Sequence, residues 1–230
     1  VSGQQHGCVV LDERGAVVRP AKLWCDTATA AEARELGERL GRSVPTGFTA
    51  SKLLWLARHE PANWARVRSV LLPHDHVNRW LCGEAAMEFG DASGTGFFDP
   101  VARTFDAAAM AAIDARLPSL LPPLRAPGAF AGRLCAATAQ QLGLRPGIPV
   151  SAGGGDNMMA AIGSGATTAG VVVASLGTSG TIFTRTESPL LDPRGAIAPF
   201  CSSDGAWLPL LCVMNVTGVT EEVRALTGMD

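Results

Sequence analysis

Three consecutive glycines followed by an acid and an amide, at residues 153–157, constrain this chain more than any other stretch. The run lies between a short apolar segment, 148–150, and a small-residue segment from Ala160, which predicts a strand, a tight turn and a helix. Without side chains in the turn, a ligand can approach the main chain closely. Asp156 and Asn157 follow, where a carboxylate can act as a general base beside a polar substrate. The alternative is local, because Asp156 could simply cap the helix.

The composition excludes several classes of protein. The 230 residues are 47% hydrophobic and 17% charged, with a net charge of −2, so the chain can bury a large core in one or two domains. Lys and Arg do not cluster, so we expect neither nucleic acid nor an acidic membrane surface as a partner. No apolar run approaches the length of about 18 residues that a membrane span needs. The six scattered cysteines favour reduced thiols in a cytoplasmic protein and predict no metal site.

Short strands alternate with helices along the chain, which predicts the α/β class. A hairpin is expected around residues 12–15. Further strands are expected near 70–72, 171–175 and 181–184, and helices near 27–40, 49–59, 61–67, 74–82, 106–117 and 137–142. After Gly147 the chain becomes apolar and glycine-rich with few charges. We therefore predict a domain boundary near residue 146.

Three further stretches carry polar groups that could bind a ligand. Residues 176–180 form a Gly/Ser/Thr loop between two predicted strands, and such a loop can hold phosphate oxygens or be only a turn. It is not a Walker A motif. Gln5 and His6 lie between glycines, on a surface loop or at a binding site. Asp26 precedes a predicted helix, and on sequence alone we favour an N-cap role there.

Taken in order, these stretches resemble the FGGY family of carbohydrate kinases. The Gly-Gly-Gly-Asp-Asn run resembles the catalytic turn of that family, and residues 175–180 resemble its phosphate-binding hairpin. Residues 47–59 resemble its first signature, which is matched by Gly47, Thr49, Lys52, Leu53, Trp55, Leu56, Arg58 and His59. Within the family, residues 3–7, 23–26 and 91–95 are most similar to xylulokinases.

The resemblance implies an actin/hexokinase-like (ribonuclease H-like) α/β fold of two domains that close on sugar and ATP. Residues 1–146 would be the C-terminal portion of the first, sugar-binding domain. Residues 147–230 would be the N-terminal portion of the second, ATP-binding domain. The family's N-terminal Gly-Thr phosphate loop and its adenine-binding region are not found in the sequence. We therefore expect an internal fragment that does not turn over ATP by itself, from a protein that could form a homodimer.

The resemblance also implies a role for each candidate residue. Asp156 would accept the proton of a ketopentose hydroxyl, most simply the 5-hydroxyl of D-xylulose, as that oxygen attacks the γ-phosphate of ATP. Gln5, His6 and Asn157 would contact the sugar, with Asp26 supporting them. Gln5 stands where many relatives have Met.

The nucleotide side of the site follows from the same resemblance. Gly177, Thr178 and Ser179 would hold the ATP phosphates, and Mg²⁺ would arrive with ATP, bound largely by phosphate oxygens and water. A position at a helix N-terminus is expected to lower the pKa of Asp156. Lys52 and Trp55 are interpreted as structural, the first as a capping or surface charge.

Two alternatives stay open at this point. One is another FGGY kinase, acting on ribulose, glycerol or gluconate. The other is a truncated, non-catalytic sugar-binding module.

Overall fold

The computed structural model describes residues 1–228. Its helices are α1 (Ala30–Leu40), α2 (Thr49–His59), α3 (Pro61–Arg66), α4 (Pro73–Cys82), α5 (Phe89–Ala92), α6 (Ala107–Ile113), α7 (Leu117–Leu120), α8 (Ala136–Leu142), α9 (Asp156–Gly163) and α10 (Thr217–Thr227). Its strands are β1 (Ser2–Gly3), β2 (Val9–Leu11), β3 (Ser69–Leu71), β4 (Met87–Glu88), β5 (Phe98–Asp99), β6 (Thr104–Phe105), β7 (Leu124–Arg125), β8 (Phe130–Arg133), β9 (Pro149–Ser151), β10 (Gly154–Gly155), β11 (Val172–Leu176), β12 (Gly180–Thr184), β13 (Ile197–Cys201) and β14 (Trp207–Val213). Within the described part of the chain, no helix is both long enough and apolar enough to span a bilayer.

Helices α1, α2 and α6 enclose the main core of the first half of the chain. Leu36, Leu53 and Leu56 are almost fully buried there, packed with Val70 and Phe97. The spacing of the two leucines in α2 is the i, i+3 spacing of one helix face, so that face is buried. Strand β2 lies beside β3 in an antiparallel pair at the edge of this core.

Most of the predicted helices are found, and two of their boundaries have clear causes. Helices α4 and α8 end before Gly83 and Gly143, which both adopt the left-handed conformation that favours glycine at a helix end. The helix predicted over 106–117 is shorter than expected. It stops at Ile113 because Asp114 turns to an extended conformation, and a separate turn, α7, begins at Leu117.

The glycine run 153–155 is shaped by the protein's own N-terminal segment. Strand β1 pairs in parallel with β10, with Ser2 opposite Gly154 and Gly3 opposite Gly155. A Cβ atom on Gly153 would collide with the carbonyl oxygen of Val1, and one on Gly155 would lie 2.6 Å from Cγ of Gln5. Because these glycines have no Cβ atom, the N-terminal segment can lie close enough for β1 to pair with β10. This pairing brings residues 4–7 beside the start of α9.

The second half of the chain is built on an antiparallel sheet with the strand order β11-β12-β14-β13. Helix α9 packs on it through Met158 and Ala161, which are buried against Phe183 and Leu208. Residues 177–179 join β11 to β12, which confirms the predicted hairpin. The domain boundary near 146 stays a prediction; strands β8 and β9, on either side of it, pair with each other.

Candidate active site

A cavity of about 430 Å³ lies where the loop 4–7, the start of α9 and the second sheet meet. Five of the predicted residues line it: Gln5, His6, Asp156, Asn157 and Ser179. The remaining lining residues are Trp24, Pro45, Phe48, Ser175, Thr181, Gly195, Ala196, Ala198, Phe200, Leu210 and Cys212. Residues that are far apart in the sequence are thus brought to one concave site.

Asp156 is the first residue of α9, and the N-cap position is occupied by Gly155, so the capping interpretation is wrong. Its Oδ1 accepts the backbone N–H of Asn157 at 2.9 Å. Asp156 is exposed at the cavity, but the protein around its carboxyl removes part of its hydration, and this desolvation raises its pKa against the lowering effect of the backbone N–H groups of Asn157 and Gln5. The expected lowering of the pKa is therefore wrong. A raised pKa makes the carboxylate a better proton acceptor.

Asn157 is oriented by contacts on both of its side-chain atoms. Its Nδ2 donates to Oε1 of Gln5 at 3.3 Å, and its Oδ1 accepts from the hydroxyl of Thr181 at 3.2 Å. Gln5 is buried, and its Nε2 has no partner among the described residues. Burying an amide N–H group without a hydrogen-bond acceptor costs free energy. A ligand oxygen that accepted a hydrogen bond from Nε2 of Gln5 would remove that cost.

His6 presents a neutral imidazole to the cavity. Its Nδ1 lies 2.8 Å from the carbonyl oxygen of Gly94, and because a carbonyl only accepts, Nδ1 carries the proton. Burial lowers the pKa of His6 to about 4, despite that hydrogen bond, and the nearby charge of Lys52 lowers it further. The other nitrogen, Nε2, is therefore an acceptor for a hydroxyl group.

Three aromatic residues, Trp24, Phe48 and Phe200, line the cavity beside these polar groups and form an aromatic wall. The His6 ring stacks on Phe48 at 4.6 Å, and the rings of Phe48 and Phe200 are 6.1 Å apart. Sequence reasoning missed this wall. Phe48 lies inside the signature segment and could have been noticed, whereas Phe200 lies in an ordinary strand that no motif marks.

The hairpin 177–179 is exposed, and only Ser179 of its three residues lines the cavity. Backbone N–H groups of Val216 and Thr217 donate to the carbonyls of Thr178 and Gly177, at 2.9 and 3.0 Å, so the start of α10 fixes the loop. Within residues 1–228, the N–H groups of Thr178 and Ser179 donate to no protein acceptor. Such free donors in a glycine-containing turn are suited to phosphate oxygens.

Asp26 lies outside the cavity lining. Its carboxylate accepts from Nζ of Lys22 at 2.9 Å and from the backbone N–H of Ala28 at 2.9 Å. It does not cap a helix, because α1 begins only at Ala30 after the N-cap residue Thr29, so the N-cap interpretation is wrong. Its predicted supporting role in substrate binding stays a prediction.

A buried charged group lies behind the glycine turn and was not found from the sequence. His74 Nδ1 lies 2.5 Å from Asp91 Oδ2, and Nε2 lies 2.9 Å from the carbonyl oxygen of Ala152. Burial alone would lower the pKa of His74, but the bond to Asp91 and the charges of Asp75 and Asp91 raise it to about 9. Ala152 directly precedes the glycine run, so the hydrogen bond from Nε2 of His74 to its carbonyl oxygen ties α4 to the turn.

Comparison with known proteins agrees with this geometry. Residues 1–163 match the N-terminal domain of the FGGY family of carbohydrate kinases. The xylulose kinase of Haemophilus influenzae is 43% identical over 242 residues, which cover 100% of this chain and 49% of that protein. The xylulose kinase of Streptomyces coelicolor is 42% identical, with the same coverage.

A solved structure extends the similarity to three dimensions. The crystal structure of a Brucella ovis protein described as a xyloylose kinase aligns with a TM-score of 0.90 and 34% identity, over 99% of this chain and 48% of that one. The predicted actin/hexokinase-like fold, present in part, is thereby confirmed. The chain spans about half the length of the curated relatives it matches.

Proposed function

This chain belongs to the FGGY family of carbohydrate kinases, and on that premise we propose that it carries the sugar site of an ATP-dependent ketopentose kinase. The proposed reaction transfers the γ-phosphate of ATP to the 5-hydroxyl of D-xylulose, giving D-xylulose 5-phosphate and ADP. The observation that supports it most is the single cavity lined by His6, Asp156, Asn157 and Ser179. The similarity to xylulose kinases over the whole chain supports the choice of sugar.

In the proposed mechanism the sugar hydroxyl attacks the γ-phosphorus, and the bond from that phosphorus to the bridging oxygen of ADP breaks. The carboxylate of Asp156 accepts the hydroxyl proton. Phosphoryl transfer passes through a loose transition state, so positioning matters more than base strength. The raised pKa of Asp156 assists the proton transfer without being decisive.

The neighbouring residues bind and orient the two substrates. Nε2 of His6 and Oδ1 of Asn157 accept hydrogen bonds from sugar hydroxyls, and Nε2 of Gln5, which has no partner among the described residues, donates to a sugar oxygen. The aromatic wall packs against the C–H groups of the sugar and keeps water out. On the other side, Gly177, Thr178 and Ser179 offer N–H and hydroxyl donors to the ATP phosphates. Mg²⁺ bound with ATP would neutralise phosphate charge.

Three further parts of the proposal concern the protein as a whole. Residues 1–146 and 147–230 belong to two domains that close on the substrates. All six cysteines are free thiols, which suits a reducing compartment, so we retain a cytoplasmic location. A homodimer, and the inactivity of these 230 residues on their own, stay predictions.

The test compares D-xylulose, D-ribulose, glycerol and gluconate as substrates of the native gene product, with ADP release as the readout. The proposal expects the highest kcat/KM on D-xylulose. Equal or greater kcat/KM on glycerol or gluconate would assign the site to a sister kinase. Sugar binding by calorimetry without any ADP release would support the non-catalytic alternative instead.

A further inference from the structure

Lys52 is completely buried, contrary to its interpretation as a capping or surface charge. It lies in α2 beside Leu53, and its stem passes through the core to reach the loop 4–7. Its Nζ donates to the carbonyl oxygens of His6 at 3.0 Å and Phe48 at 3.3 Å, and it also contacts that of Gly47. A buried ammonium with three carbonyl acceptors uses all of its donors.

Lys52 has no carboxylate partner among the described residues. The nearest candidate, Asp26, pairs with Lys22. Burial lowers the pKa of Lys52 to about 8, because the ammonium loses its hydration. Burying an unpaired charge is destabilising, and a hydrophobic residue would fill the same volume without that loss. The position of the charge therefore calls for a functional explanation.

Lys52 and Thr49 share one hydrogen-bond acceptor, the backbone carbonyl oxygen of His6. The backbone of His6 is strained. Its φ is +67°, a left-handed conformation that residues with a Cβ rarely adopt. The hydroxyl of Thr49, also in α2, donates to the same carbonyl oxygen at 3.3 Å. Two side chains of one helix thus hold the peptide that sets the direction of the His6 ring.

We propose that Lys52 is a positioning residue, whose ammonium holds the His6 carbonyl so that the imidazole stays bonded to Gly94 and presents Nε2 to the sugar. The assignment rests on the proposed function, because it makes His6 a sugar contact. Without the ammonium, the strained backbone of His6 relaxes, and the ring leaves Gly94. Burial is the main reason that the imidazole stays neutral, and the positive charge of Lys52 adds to that effect.

The test uses Lys52→Met, which keeps the length of the side chain and removes the charge, in the native gene product. We expect KM for D-xylulose to rise about tenfold, as for the loss of one charge-assisted hydrogen bond. We expect kcat to change less than about threefold and KM for ATP to stay the same. The nitrogen chemical shifts of His6 should move from those of a single Nδ1–H tautomer toward a mixture.

Leu56→Ala is the matched control, since Leu56 lies in the same helix and core but its side chain cannot donate a hydrogen bond to the His6 carbonyl. It should lower the melting temperature without changing KM or the His6 shifts. An equal rise in KM for this control, or unchanged KM and shifts in Lys52→Met, would overturn the proposal. If Lys52→Met does not fold, Thr49→Val replaces it as the test variant. KM for D-xylulose and the His6 chemical shifts are measured again, and wild-type values of both would overturn the proposal. The His6 shifts are read without substrate, so they separate this proposal from a wrong choice of sugar.

Discussion

The side-chain amide of Asn157 donates to Oε1 of Gln5 at 3.3 Å, across 152 positions of the sequence. The contact joins the loop after β1 to the first turn of α9, and the hydroxyl of Thr181 extends it into the second sheet. The side chain of Asn157 thus fixes the relative positions of three separate segments around the cavity. The orientation of the Asn157 side chain in the cavity depends on both neighbours.

Removing the hydroxyl of Thr181 should weaken sugar binding without affecting the reaction step. In Thr181→Val the Oδ1 of Asn157 loses its donor, and we expect KM for D-xylulose to rise about three- to tenfold, as for one neutral hydrogen bond. Steady-state kinetics on the native gene product measures it. Thr184→Val is the control, because Thr184 lies on the same strand but bonds the carbonyl of Val171. Equal effects in both variants would show that Thr181 acts only through the strand.

A methyl group at residue 94 should displace His6. A Cβ on Gly94 would collide with the Nδ1 and Cε1 atoms of the His6 ring. The ring is rigid, so it can avoid the collision only by moving away from its acceptor, the carbonyl oxygen of Gly94. We expect Gly94→Ala to raise the dissociation constant for D-xylulose more than about tenfold, measured by calorimetry. In Gly163→Ala the added methyl meets no atom within 4 Å, and binding should be unchanged. Wild-type affinity in Gly94→Ala would remove His6 from the sugar site.

Glu88 should contribute stability at low pH that is lost as the pH rises from about 4.5 to 7, whereas His6, whose pKa is lowered to about 4, contributes in the opposite direction between about pH 4 and 6.5. Burial raises the pKa of Glu88 from 4.5 to about 7, although N–H groups of Gly90 and Asp91 bond its carboxylate. At Glu88 the folded protein therefore binds more protons in this window, and the stability present below pH 4.5 is lost through pH 7. The full loss from Glu88 alone is about 3.5 kcal/mol, at about 1.4 kcal/mol for each pKa unit.

Glu88→Gln should make the change in the free energy of unfolding from pH 4.5 to 7 more positive than in wild type, because only the falling contribution is removed; the free energy is measured in denaturant between pH 4.5 and 9. His74 has a raised pKa, about 9, so its contribution is present below pH 6.5 and is lost as the pH rises through 9; this second decline should persist in Glu88→Gln. Glu38→Gln, at an exposed position of α1, should leave the profile unchanged. A profile of Glu88→Gln with the wild-type slope below pH 7 would contradict the assignment.

Local chemistry predicted the parts of the fold that depend on neighbouring residues. The helices expected near 74–82 and 137–142 end before Gly83 and Gly143, which adopt the left-handed conformation typical of glycine at a helix C-terminus. The 177–179 hairpin lies where its Gly/Ser/Thr composition indicated. Short motifs also identified the candidate site residues, and the structure brings five of them to one cavity: Gln5, His6, Asp156, Asn157 and Ser179.

The errors and omissions arose where distant segments meet. Asp156 was expected to have a lowered pKa from its helix end, but desolvation by the protein around its carboxyl raises it. Lys52 looked like a surface charge because nothing in its own helix shows that the loop 4–7 lies against it. Phe200 reaches the cavity only because the second sheet carries it there. Such effects depend on tertiary contacts, which no local pattern encodes.

The central claim is that Asp156 accepts the proton of the sugar hydroxyl, and Asp156→Asn tests it most directly. The amide keeps the shape of the side chain and the backbone contacts but cannot accept a proton. In the native gene product we expect kcat on D-xylulose to fall by about 10² to 10⁴, the usual contribution of a general base. The dissociation constant for D-xylulose should stay within about threefold of wild type. A variant that retains kcat within about tenfold of wild type would contradict the account.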